Sequence, residues 1–220
     1  VADDPVRRTL DAVLADGVVL CLRQPTGEGI VEACRAAARG GLRVLEMTLT
    51  TPRALEAMAE LSRDPGLLVG GGTVLTPASV REVAKAGGRF ALSPVFDPEV
   101  VDEAGRCGVL AIPGAGTAAE ILRAYRHGVP VVKVFPSAAL GGPAFLRYLK
   151  GPFPDIPLLP TSGPTSENLA DYFGAGAVAV GIGQEVFHPG FTLASVEEAA
   201  RRVRRAVDAW RARSRGTPAA

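Results

Sequence analysis

Short apolar runs alternate with longer amphipathic ones along almost the whole chain. The short runs are rich in Val, Leu and Ile and predict strands over 18–22, 44–48, 67–70, 90–92, 109–112, 131–135, 158–160 and 177–181. Between them apolar positions recur at helical spacing, predicting helices over 31–39, 52–62, 77–86, 98–107, 117–125, 144–149 and 166–173. One more helix over 5–15 precedes the first strand, and a long one over 195–213 follows the last. Local punctuation agrees with these boundaries. Pro52, Pro77 and Pro98 fall at first helical turns, where a missing N–H costs nothing. Ser166 and Thr117 read as N-caps, and Glu120 completes a capping box with Thr117. Gly87, Gly108 and Gly128 follow helices as terminators.

Eight strands, each followed by a helix, predict an α/β fold: a single-domain (β/α)8 TIM barrel with an N-terminal helix. On this reading 1–16 is the N-terminal helix packing on the barrel, 17–213 is the barrel and 214–220 is a frayed tail. The alternative, an open doubly wound sheet, normally carries a glycine fingerprint after its first strand, and Cys21-Leu22-Arg23-Gln24-Pro25 has none.

Composition narrows the function. A 220-residue chain with 47% hydrophobic and 21% charged residues buries a sizeable core without staples. Its net charge of +1 gives no bulk field for nucleic acid or a membrane surface, and 5% aromatic residues weaken a base-stacking role. The arginines Arg201, Arg202, Arg204 and Arg205 read as a solvated helix face. Cys21, Cys34 and Cys107 lack C-x-x-C spacing, so buried free thiols are expected, with neither a disulfide framework nor a zinc site. No metal is expected, since His127 and His188 stand far apart in sequence. No apolar stretch approaches the roughly 20 residues of a membrane helix, and Val1-Ala2-Asp3-Asp4 does not resemble a signal peptide. A reducing cytoplasm is the expected location.

Lysine is scarce: Lys85, Lys133 and Lys150 are the only three. Lys133 alone lies within an apolar β-branched run, Val129-Pro130-Val131-Val132-Lys133-Val134-Phe135-Pro136. An ammonium there is expensive to desolvate unless it is paired or loses its proton. Glu46 is equally out of place in Arg43-Val44-Leu45-Glu46-Met47-Thr48. Strand alternation puts Val44, Glu46 and Thr48 on one face and Val131, Lys133 and Phe135 on one face of theirs. If both faces point inward, a buried acid and a buried amine meet in one small cavity. Two readings stand: a plain buried ion pair, or imine chemistry in which the amine attacks a carbonyl and the carboxylate shuttles protons. The glycine-bearing turns after the last two strands suggest an anion site, with backbone N–H groups of Ser162, Gly163, Gly183 and Gln184 converging on phosphate; tight packing turns are the alternative.

Six segments occur in order: Arg43-Val44-Leu45-Glu46-Met47-Thr48, Gly70-Gly71-Gly72-Thr73-Val74, Leu92-Ser93-Pro94, Ile112-Pro113-Gly114, Val132-Lys133-Val134-Phe135-Pro136 and Leu159-Pro160-Thr161-Ser162-Gly163. Together they resemble the 2-keto-3-deoxy-6-phosphogluconate (KDPG) and 4-hydroxy-2-oxoglutarate (KHG) aldolase family. The resemblance implies a metal-independent class I aldolase with no cofactor beyond a covalent imine on Lys133. Such an enzyme cleaves a keto acid to pyruvate and an aldehyde such as glyceraldehyde 3-phosphate or glyoxylate. It implies Lys133 as the Schiff-base lysine and Glu46 as the acid/base. Arg23, Thr48, Thr50, Thr73, Pro94, Phe135 and Thr161 would line the substrate site. Arg23 would take the carboxylate or neutralise Glu46, and Thr161 would favour a gluconate-type epimer. A homotrimer is implied as well.

Family members commonly read Thr-Gly-Gly where this chain reads Thr161-Ser162-Gly163, and serine where it has Gln184. Both departures fall at the expected phosphate site, so aldolase chemistry with a weakened preference for a 6-phosphate is the expectation. Competing readings are a phosphate-binding isomerase or decarboxylase barrel that uses Lys133 electrostatically, and a non-catalytic keto-acid-binding scaffold.

Overall fold

A computed structural model describes residues 4–215. Residues 1–3 and 216–220 lie outside the described residues, and with them most of the expected tail; Ser214 and Arg215 continue the last helix. The strands are β1 (Val18–Leu22), β2 (Val44–Thr48), β3 (Leu68–Gly72), β4 (Phe90–Leu92), β5 (Leu110–Ile112), β6 (Gly114–Ala115), β7 (Val132–Val134), β8 (Leu158–Pro160) and β9 (Val180–Ile182). The α-helices are α1 (Pro5–Asp16), α2 (Ile30–Arg39), α3 (Ala54–Leu61), α4 (Pro77–Lys85), α5 (Pro98–Arg106), α6 (Ala118–Arg126), α7 (Pro143–Lys150), α8 (Leu169–Gly174) and α9 (Leu193–Arg215).

The strands form a curled parallel sheet in two arcs, β5-β4-β3-β2-β1-β9 and β6-β7-β8. Pro113 separates β5 from β6. It has no N–H for the ladder, but its carbonyl accepts from the Lys133 N–H at 2.9 Å. The predicted strand over 109–112 is β5, and beyond Pro113 a second short piece, β6, which the pattern did not predict, serves a different neighbour. At the other junction only isolated bridges, Leu158↔Ala177 and Thr161↔Gly181, join β8 to the β9 segment. The expected strand over 177–181 is accordingly shorter and shifted to Val180–Ile182, where pairing with β1 is continuous.

Two apolar clusters follow from side-chain alternation. The larger packs the outer strand faces against the helices. The smaller lies on the inner face and draws Val19, Val44, Phe90, Leu110, Val131 and Leu159 from both arcs. Leu10 and Val13 of α1 belong to it, so this helix covers the amino ends of the strands. Asp4 caps α1 through the Val6 N–H, and Gly17 ends it at φ 81°. The carboxyl ends of the strands are left for polar side chains.

Several boundaries differ from expectation. Pro52 precedes rather than begins α3, whose N-cap is Arg53 at φ 61°, while Pro77 and Pro98 start α4 and α5 as predicted. The Thr117–Glu120 capping box is present. Ser166 is not an N-cap: α8 starts later, after Asn168, and has only six residues. The arginine face of α9 is not uniformly solvated. Arg201 and Arg205 pair with Glu197 and Glu198, but Arg204 is half-buried against the Asp16 carbonyl and carboxylate. Burial raises the Asp16 carboxyl above its ordinary range, and Arg204 opposes that shift. Among the described residues no helix is long and apolar enough to cross a membrane.

Candidate active site

The carboxyl ends of the strands gather almost every residue singled out from sequence. Alternation from Val44 and Val131 carries Glu46 and Lys133 to the inner face, where they are only 2% and 6% exposed. Of the two readings left open, the plain ion pair is not seen between them. The Glu46 Oε2 instead accepts from the Cys21 thiol at 2.7 Å, across the β1–β2 register that pairs Cys21 with Glu46. Lys133 has no hydrogen bond or ion pair from its ammonium among the described residues; its Nζ stands 5.2 Å from the Phe135 ring centre, a cation–π contact.

Cys21 is a site residue that the sequence reading passed over as a packing thiol. It is half-buried rather than fully buried, as is Cys107, while Cys34 is buried. Desolvation and the Glu46 carboxylate push the Cys21 thiol well above its ordinary value, with Lys133 and Arg23 pulling the other way. It therefore stays protonated and serves Glu46 as a donor. Burial takes Cys34 up to about 12. Alternation was the available signal for Cys21, since it lies two residues before Arg23 on the same strand face.

Gly72 makes the space for Glu46. A Cβ added at this position would lie 1.8 Å from the Glu46 Oε1 and 2.5 Å from its Cδ. Gly72→Ala is expected to expel the carboxylate from its seat and to destabilise the fold by about 1–3 kcal/mol, the usual cost of overpacking. A urea midpoint against wild type checks the number.

The mouth of the site is polar and prearranged. Arg23 donates to the Thr50 Oγ1 at 2.5 Å and to the Thr73 Oγ1 at 3.0 Å. Two threonines thus fix its fork while other N–H donors remain for an anion. Thr73 holds φ 58°, an unusual conformation for a β-branched residue and of a kind concentrated at functional sites. Buried Thr48 shares a 3.1 Å hydrogen bond with Thr51, whose hydroxyl also accepts from the Gln24 N–H. Pro94 is half-buried, with its carbonyl closely packed on Gly114. Thr161 is buried, and its Oγ1 has no partner. Leaving such a hydroxyl unsatisfied costs about 1–3 kcal/mol, which a ligand oxygen would recover.

The turns after β8 and β9 lie at the same end. Ser162 is exposed and sits at φ 63°, where glycine is the unstrained residue. Gly163 and Gly183 are half-buried, and Gln184 is exposed. Among the described residues no three His, Cys, Asp or Glu side chains gather as a possible metal site.

Fold and site define a class: a parallel α/β protein that brings an unpaired amine and a buried carboxylate to the carboxyl ends of its strands. The family model for KDPG and KHG aldolases matches residues 11–199, and the chain belongs to that family. It is similar to the 2-dehydro-3-deoxy-phosphogluconate aldolase of Pseudomonas aeruginosa, with 44% identity over 144 residues, 65% of this chain and 66% of that protein. The aligned part thus spans just under two thirds of that relative's length. A probable 2-dehydro-3-deoxy-6-phosphogalactonate aldolase of Rhizobium meliloti is 32% identical over 89% of this chain and 90% of its own. Among solved structures, the KDPG aldolase of Legionella pneumophila, with pyruvate captured at low pH as a covalent carbinolamine intermediate, superposes with a TM-score of 0.78. It is 31% identical, covering 87% of this chain and 96% of that one.

Proposed function

We propose that this protein is a class I, pyruvate-forming aldolase acting on a 2-keto-3-deoxy sugar acid or 4-hydroxy-2-oxoglutarate. One observation carries the reading: Lys133, in the middle of β7, is almost fully buried with no carboxylate partner among the described residues. A purely structural buried lysine is normally paired. Family membership and the carbinolamine of the Legionella relative support the same assignment.

In this mechanism the neutral Lys133 Nζ attacks the substrate C2 carbonyl, and the carbinolamine loses water to give a protonated imine. That imine draws electrons from the C3–C4 bond. As the C4 hydroxyl gives up its proton, the bond breaks, the aldehyde leaves and the C3 carbon is left as an enamine. Glu46 takes and returns these protons, with a water as carrier, and protonates C3. Water then hydrolyses the pyruvate imine and restores the amine. Arg23, held by Thr50 and Thr73, receives the substrate carboxylate. Phe135 walls the reacting carbons, and Thr48, Pro94 and Thr161 line the remainder.

The same proposal reads residues 17–213 as one (β/α)8 unit with α1 packed on it. The Leu158↔Ala177 and Thr161↔Gly181 bridges and the inner cluster shared by both arcs support its closure. A homotrimer is part of the reading; exposed Leu75 and Val95 offer apolar surface to a second copy.

Borohydride reduction in the presence of pyruvate tests the chemistry. The expected product is a lactate-type adduct on Lys133, found by intact mass and peptide mapping. Folded protein that gives no adduct, or one elsewhere, overturns the assignment.

A further inference from the structure

The turn after β9 carries a carboxylate that neither the motifs nor the proposed chemistry uses. Glu185 follows Gly183-Gln184 directly and is half-buried. Its Oε2 accepts the Ser166 backbone N–H at 2.7 Å and its Oε1 accepts the Ser166 hydroxyl at 2.5 Å. Ser166 lies three residues beyond Gly163, in the turn after β8. Glu185 thus ties together the two turns at which a barrel of this kind receives phosphate. It does so with a carboxylate of the protein's own, which takes both the N–H and the O–H donor of Ser166.

The turn lacks a macrodipole of any length, because α8 is only six residues long. Asn168 is occupied by the backbone on both sides, accepting from the Thr165 N–H and donating to the Gly163 carbonyl. No cation pairs with Glu185 among the described residues. Ser162 adds a Cβ in a backbone conformation suited to glycine.

We infer that Glu185 is a specificity-determining residue, an internal anion that turns the far end of the site against phosphorylated substrates and toward keto acids ending in a neutral hydroxyl. A phosphate ester arriving between these turns meets a fixed like charge and finds the Ser166 donors already taken. A hydroxyl meets neither penalty. The inference rests on the aldolase reading for the orientation of the substrate, but its first test does not require turnover.

That test is inorganic phosphate binding by the whole protein, followed by thermal shift and calorimetry at low and moderate ionic strength. Wild type is expected to bind phosphate weakly. Glu185→Gln and Glu185→Ala should bind it at least about tenfold more tightly, with the wild-type handicap shrinking as salt screens the charge. Wild-type affinity equal to that of both variants overturns the proposal. The second test is the ratio of kcat/KM for keto-deoxy-gluconate with and without its 6-phosphate. Both variants should raise that ratio at least about tenfold by improving the phosphorylated substrate, leaving the other within about threefold. A merely structural Glu185 predicts parallel losses on both substrates and an unchanged ratio, and that result rejects the inference. Failure of the aldolase reading is seen separately, as absent pyruvate trapping on Lys133 with the phosphate result standing.

Discussion

Lys133→Ala is expected to lower aldol cleavage by at least about four orders of magnitude, the scale on which covalent catalysis collapses when its nucleophile is removed. Lys133→Arg should fare no better. The guanidinium keeps the positive charge and much of the reach, but it does not act as an amine nucleophile. This second variant separates the imine from an isomerase or decarboxylase role in which the cation only stabilises developing negative charge. An arginine enzyme retaining a tenth of wild-type kcat/KM would exclude the imine. Stability should move the other way from activity. Lys133 has no ionic partner among the described residues, so removing it strands no buried countercharge. The alanine variant should therefore match or exceed the wild-type urea midpoint. Pyruvate should raise the melting temperature of wild type alone, because a ligand stabilises a fold only through the state that binds it. Stabilisation of the alanine variant to the same extent would favour the non-catalytic scaffold.

Much of this architecture is legible in the residues, for identifiable reasons. Lys133 and Glu46 stand out because a charge within a short apolar β-branched run contradicts its surroundings. Alternation then places both on the inner face. Helix starts at Pro77, Pro98 and Thr117 are local decisions, made by the chemistry of one turn. The failures are of another kind. The short β6 after Pro113 goes unpredicted because pairing is a property of two neighbours, and β6 pairs with a strand that β5 does not touch. Ser166 has the composition of an N-cap, but its donors go to Glu185, nineteen positions away. Cys21 reads as an apolar thiol until its register partner is known to be Glu46. Glu46 and Lys133 share the inner face, yet the carboxylate takes its hydrogen bond from Cys21 and not from the amine. Alternation fixes which face a side chain takes and leaves its partner on that face undetermined.

That distinction sets the expectation for Glu46→Gln. The amide keeps the volume that Gly72 leaves open and keeps an oxygen to accept from Cys21, so packing and the thiol contact should survive. What it loses is the ability to take and return a proton. If Glu46 moves protons at each stage of the cycle, kcat should fall by about 10²–10⁴, equivalent to about 3–5 kcal/mol of barrier. Exchange of pyruvate methyl hydrogens into deuterated water, followed by NMR, should fall in parallel, since it reports the same proton transfer at C3 without an aldehyde. Borohydride trapping on Lys133 should persist at longer incubation, because attack by the amine is slowed rather than forbidden. These three readouts distinguish proton transfer from simple charge balance. A Glu46 that only neutralised Arg23 or Lys133 would predict altered pyruvate affinity with kcat and methyl exchange within about threefold of wild type. Retained exchange in the glutamine variant would thus remove Glu46 from the chemistry while leaving Lys133 in place.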